Sequence, residues 1–182
     1  MKKKIRMKTR DVAITYRMGA GFPGDVNRSN PATIEPVLID ATSPPTAYGQ
    51  GVLVDPTTQG VRPFAAGDVA LTAAYGVTVR PYPVQQSSGS NFGAATLGAA
   101  IPPVAGQMDV LRAGYIMVKL SGAVQPVKGG LVTIWTGATA GAHVLGGFEA
   151  AVTGGSSTPA LPGVTFNGVP DASGNVEIAF NI

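Results

Sequence analysis

Apolar residues in this chain fall in short runs, and glycines and prolines fill the gaps between them. The clearest run is the last one. In Asn175-Val-Glu-Ile-Ala-Phe-Asn-Ile182, the residues Val176, Ile178, Phe180 and Ile182 share one face, the two-residue period of a half-buried strand. Pro170-Asp-Ala-Ser-Gly174 supplies the turn before it. Met108–Leu120 predicts the strongest strand of the body, with a break near Gly114. Leu131-Val-Thr-Ile-Trp-Thr136 predicts another and carries the only Trp. Ala32–Asp40 reads as a strand that Pro36 confines to an edge or a bulge. Gly51–Asp55 is a short strand, followed by a turn over Pro56–Gly60. Gly60–Phe64 leads into a turn at Ala65–Asp68, and Val69–Gln85 predicts one long strand or a strand pair. His143–Ala151 and Leu161–Phe166 are weaker strands, and Val12-Ala-Ile-Thr-Tyr-Arg17 alternates as an edge strand would.

No segment carries a 3.6-residue apolar stripe over ten or more positions. Phe92–Ala100 offers a helical turn or two at most. Short strands separated by turn signals predict an all-β fold, a jelly-roll-like sandwich or a small barrel. Ser87–Gly106 is low in complexity, and a loop of that length in a compact domain is usually functional or mobile. The expected organisation is an extended basic arm over residues 1–31 and a single β domain over residues 32–182. A long Gly/Ser/Ala/Pro-rich loop is expected at about 86–106.

Charge divides the chain along the same line. Residues 1–30 hold eight of the thirteen basic residues against two acidic ones, a net +6. The rest holds five basic and eight acidic residues, a net −3. Charged residues are 13% of the chain, about half the share of an ordinary soluble domain. A surface this poor in charge favours assembly with other protein. The 25 Gly and 15 Pro are not periodic, which excludes collagen. With no Cys, disulfides and thiolate metal sites are excluded, so the core or assembly must supply stability. No run of 18 apolar residues exists to predict a transmembrane helix. The basic start lacks the apolar core of a signal peptide, so the chain is expected to be made in the cytoplasm and left unprocessed.

Candidate chemistry is sparse. Gly19-Ala-Gly-Phe-Pro-Gly24 matches G-x-G-x-x-G, but neither a buried strand before it nor a helix after it is predicted. His143 is the only histidine, and no G-x-S-x-G elbow accompanies it, so a local structural role is expected. One His without Cys makes a poor zinc site, and no Asp-x-Asp-x-Asp calcium loop is present. The scattered carboxylates border turns, and nothing singles out a glycosidase pair. Asn27-Arg-Ser29 is a formal glycosylation sequon without a secretory route. No catalytic residue, metal ligand or cofactor is expected. The basic run Lys2–Arg10 lacks interleaved aromatics, and the body offers no basic face, so nucleic-acid binding is a weaker reading than an arm that meets acidic protein.

Several segments carry a resemblance. Gly21-Phe-Pro-Gly-Asp-Val-Asn-Arg-Ser-Asn-Pro31 comes first, followed by Ile34-Glu-Pro-Val37 and Tyr48-Gly-Gln-Gly-Val-Leu-Val-Asp55. Gly60–Asp68 and Tyr75-Gly-Val-Thr-Val-Arg-Pro-Tyr82 complete the set. Together they resemble the structural cement proteins that decorate the capsids of tailed phages. The likeness runs through roughly residues 16–82 and continues more loosely to the C-terminal strand; its most specific part is Pro-Gly-Asp-x-x-Arg-x-x-Pro at 23–31. The Lys/Arg-rich start departs from it. The resemblance implies a non-enzymatic protein on the outer surface of the virion. It would staple neighbouring major capsid proteins and assemble with itself, a homodimer being favoured over a homotrimer. Arg6, Arg10, Arg17, Phe22, Asp25 and Arg28 are the candidate partner-binding residues, and Arg17 and Arg28 present donor forks suited to capsid carboxylates. The alternatives are a β-rich tail or fibre component and a carbohydrate-binding module. A sugar platform needs exposed aromatics, whereas Trp135 alternates within a strong strand, as a core residue would.

Overall fold

The computed structural model describes residues 21–81 and 101–182. Within them the chain is all-β. The strands are β1 (Thr33–Leu38), β2 (Gly51–Val54), β3 (Val61–Pro63), β4 (Gly76–Thr78), β5 (Gln107–Lys119), β6 (Thr133–Ile134), β7 (Phe148–Glu149), β8 (Val164–Phe166) and β9 (Asn175–Phe180). The one helical element among the described residues is a 3-10 turn at Ala66–Asp68. Every strand-to-strand ladder is antiparallel. Seven strands form one sheet in the order β3-β2-β4-β5-β9-β8, with β1 added to β5, and β6 and β7 form a separate pair.

The thirteen residues of β5 organise the sheet. Its first half lies between β1 on one edge and β4 on the other: Leu111 stands opposite both Ile34 and Val77. Its second half pairs with β9 from Gly114–Phe180 to Lys119–Asn175. The break expected near Gly114 does not occur. Gly114 instead takes φ +142, and a Cβ there would press on the Pro31 carbonyl oxygen at 3.0 Å. Glycine lets the chain at 31–32 cross close over an unbroken strand. The irregularity falls beside it, as a register shift where Thr33 pairs with Ala113 and Ile34 with Leu111. Pro36 lies in β1, which has no strand partner but β5 among the described residues.

Alternation along the strands feeds two apolar clusters. Leu53, Val77, Leu111, Ile116, Val118, Ile178 and Phe180 join Ile134, Phe148 and Phe166 in the larger one. Their neighbours Val52 and Val110 turn the other way and join Ile39, Val61 and Met108. The C-terminal alternation is found in β9, where Val176, Ile178 and Phe180 are buried. Ile182 is exposed, because Asn181 takes φ +51 and turns the chain off the strand. The long strand expected over Val69–Gln85 shrinks to β4, with residues 82–85 outside the described region. The available partner limits it. β2 has only four residues, and it pairs with β4 only at Gly51 and Val52. Just before, Arg62 and the Ala65 amide hold Asp68 in a tight turn.

Candidate partner-binding site

The segment Gly21–Pro31 lies against the second half of β5, on the edge opposite β9. Gly24 N–H donates to the Met117 carbonyl at 2.8 Å, Met117 N–H to Asp25 at 2.9 Å, and Asn27 N–H to Tyr115 at 3.2 Å. From the other side, Arg80 N–H donates to the Gly24 carbonyl at 2.9 Å. Val26 bridges Ile116. The segment expected as part of an extended arm thus satisfies its backbone as an irregular strand would. Two glycines make this possible. Gly24 takes φ +90, and a Cβ on it would lie 2.7 Å from the Tyr48 Cβ. Gly49 takes φ +71 and packs its backbone directly on Gly24. The glycine of the Pro-Gly-Asp stretch at 23–25 is therefore demanded by close backbone contact.

Side chains from three elements converge here. The Asp25 carboxylate accepts the Phe22 N–H at 2.8 Å and closes a local turn. Arg28 lies over the Tyr115 ring, 3.9 Å from its centroid, and donates to Glu177 at 2.9 Å. Glu177 also accepts from the Asn27 and Asn167 amides, so one carboxylate of β9 gathers three donors. The Gly21 carbonyl accepts from Asn175 Nδ2 at 3.0 Å. Arg80 is buried, and its guanidinium lies 4.7 Å from the centre of the Phe22 ring. Beside it, burial raises the Tyr48 phenol above its ordinary pKa, opposed in part by the Arg80 charge.

Of the residues singled out in the sequence, Phe22, Asp25 and Arg28 fall together on this segment; Arg6, Arg10 and Arg17 lie outside the described residues. Sequence reasoning missed Arg80, Tyr115 and Glu177. Arg80 stood in the alternating Val77–Tyr82 run, where its charge on a strand of the low-charge body was the available signal.

The lone histidine belongs to a different cluster. His143 Nδ1 lies 2.7 Å from Glu149 Oε1, and its ring stacks on Trp135 with centroids 4.1 Å apart. Ser121 Oγ donates to the same carboxylate oxygen at 3.2 Å. Serine and histidine both bond the acid and do not bond each other, so this is no relay for activating a nucleophile. Among the described residues, no group of three or more His, Asp or Glu is placed to hold a metal ion.

The XM1 gp53 minor capsid protein family matches residues 12–180. The chain belongs to this family. The match takes in the docked segment at 21–31 and the whole β body. Among solved structures, a chain from the capsid of Myoviridae phage XM1 aligns with a TM-score of 0.64. At 14% identity it covers 96% of this chain, which covers 98% of that one. That likeness shows a shared fold. Comparison with curated proteins returns no match. Family membership makes this a structural protein of a phage capsid and gives it a place in the virion.

Proposed function

We propose that this chain is a cement protein. It binds the outer surface of the phage head and staples neighbouring major capsid proteins, acting as a small homo-oligomer, with a dimer favoured. The observation that carries this reading is the docked segment at 21–31. Its backbone is tied to β5 and to Arg80. The chain upstream of Gly21, with seven basic residues and one acidic one, therefore joins the body at a fixed point. A basic arm leaving a fixed point on a body of net negative charge adds contacts to a neighbour without needing a core of its own. Weak single contacts then sum across an oligomer. A role as a binding protein without catalysis fits this arrangement.

The carbohydrate-binding alternative draws no support from the Trp and Tyr residues among the described residues. Trp135 is buried, and the Tyr75 and Tyr115 rings lie under Arg112 and Arg28.

Cryo-microscopy of virions tests the reading by locating this chain. Density outside the shell, bridging capsid subunits, is the expected result; density only in the tail would sink it. Protein that starts at Gly21 should fold but attach to stripped heads more weakly than the full chain. Added salt should weaken the full chain's attachment more than that of the truncated form.

A further inference from the structure

Four arginines lie among the described residues, and three of them have an acid at hand. Arg62 forks onto Asp68 at 2.7 and 3.1 Å. Arg28 reaches Glu177 at 2.9 Å. Arg112 lies 3.8 Å from Glu35. Arg80 has none. It is only 8% exposed, and its Nε and Nη2 donors are buried without an acceptor. Buried donors left unbonded cost stability, the more so when charged. The Phe22 ring beside the guanidinium offsets a part of that through its π face. It cannot accept the in-plane donors.

We infer that Arg80 and Phe22 form a socket for a carboxylate side chain of a neighbouring protein in the shell. The inference rests on the cement reading and supplies it with a contact. The backbone that carries Arg80 is fixed in advance. Arg80 N–H is tied to the Gly24 carbonyl, and Val79 N–H to the Asp109 carbonyl at 2.9 Å. Both unbonded donors are covered in the free protein, so the half-exposed Phe22 ring beside the guanidinium must turn aside to admit the carboxylate. An arginine fork matches a carboxylate through two parallel hydrogen bonds. Phe22 is 42% exposed and gives an aromatic anchor next to the buried cation, a pairing typical of the residues that dominate interfaces. The chain itself has few acids to offer. Asp25 is turned to the Phe22 amide, and Asp11 is the one acidic residue outside the described region.

Two measurements test the socket. The first uses the free, full-length protein and NMR of the arginine Nε–H groups. Titration with N-acetyl-glutamate methylamide should shift the Arg80 signal and the Phe22 ring signals, whereas the glutamine analogue should not. No shift overturns the inference. An equal response to inorganic phosphate overturns its carboxylate selectivity. A change of the Arg80 signal in Asp11→Asn protein without ligand shows that the chain fills its own socket, which also overturns it.

The second measures attachment to heads stripped of this protein. Arg80→Gln should attach at least about tenfold more weakly, a loss of about 1.4 kcal/mol, while its Tm stays level or rises. Arg80→Lys should recover only part of the attachment, because it keeps the charge but loses the fork. A fall in Tm with unchanged attachment assigns Arg80 to the fold alone and overturns the socket. If wild-type protein fails to attach to heads, the cement reading fails, and the NMR titration still decides whether the socket exists.

Discussion

Gly24 and Gly49 meet backbone to backbone: a Cβ placed on Gly49 would lie 2.7 Å from the Gly24 amide nitrogen and 2.9 Å from the Met117 carbonyl oxygen. Both glycines have positive φ. Gly49→Ala should therefore destabilise the fold by roughly 2–4 kcal/mol, combining strain with a backbone clash. Gly129→Ala is the control, since φ there is +77 but the added Cβ meets open space. It should cost only about 1 kcal/mol. Urea denaturation of both variants gives the comparison, and equal losses would refute the packing argument.

The Arg28–Glu177 pair fastens the docked segment to β9. Arg28 is half exposed, with a side-chain exposure of 48%, so Arg28→Ala should cost only about 1 kcal/mol. Glu177 is more enclosed and serves three donors. Glu177→Ala should cost about 2 kcal/mol. In both variants, hydrogen exchange at the Asn27 amide should speed up more than at β9 amides. Uniform acceleration across the chain would mean that the pair stabilises the whole fold and not this segment.

Stability should fall in acid through Asp68 and Asp55. The Arg62 hydrogen bond holds the Asp68 carboxyl below its ordinary pKa. The Thr58 and Thr57 amides do the same for Asp55. Both groups bind protons less tightly folded than unfolded. Their stabilisation is in full force above the ordinary carboxylate pKa of about 4. It is lost as pH falls through the lowered folded values. Asp68→Asn should flatten the dependence of unfolding free energy on pH below about 4. An unchanged slope would show that other carboxylates govern acid unfolding.

His143 and Glu149 should be coupled. Glu149 is 3% exposed, and His143 and Ser121 are its side-chain hydrogen-bond partners among the described residues. His143→Ala leaves a buried carboxylate with one hydroxyl donor, and the loss should reach about 2–4 kcal/mol. Glu149→Gln in the same chain should recover part of it, because a neutral amide is easier to bury. A double-mutant cycle by thermal unfolding measures the coupling, and additive losses would count against it.

Among the described residues, strand identity was legible where apolar residues alternate. Val176, Ile178 and Phe180 gave β9, and the Met108–Leu120 run gave β5 to within a residue at each end. Trp135 proved buried, as its place in an alternating run implied. Lengths were harder, because a strand extends only as far as its partner does. Val69–Ala74 had the composition of a strand but joins no ladder among the described residues, and pairing with β2 begins only where Tyr75 N–H donates to the Val52 carbonyl at 2.8 Å. The candidate site was half legible. Phe22, Asp25 and Arg28 stand in the Gly21–Pro31 segment that carries the most specific part of the resemblance. Arg80, Tyr115 and Glu177 reach them from positions 52 or more residues away in the chain, and no local pattern announces such a meeting.

The place of β5 in the sheet also bears on how the protein is made. β1 and β4 pair with it from the N-terminal side of the chain, and β9 from the extreme C-terminal side. On the ribosome, β1 has no ladder to join until Gln107–Ala113 has emerged. The seam with β9 closes only after Asn175–Phe180 has emerged. So much dependence on distant segments slows folding and leaves unpaired edges waiting on nascent chains. Until Asn175–Phe180 arrives, the second half of β5 presents an open edge to whatever strand meets it first.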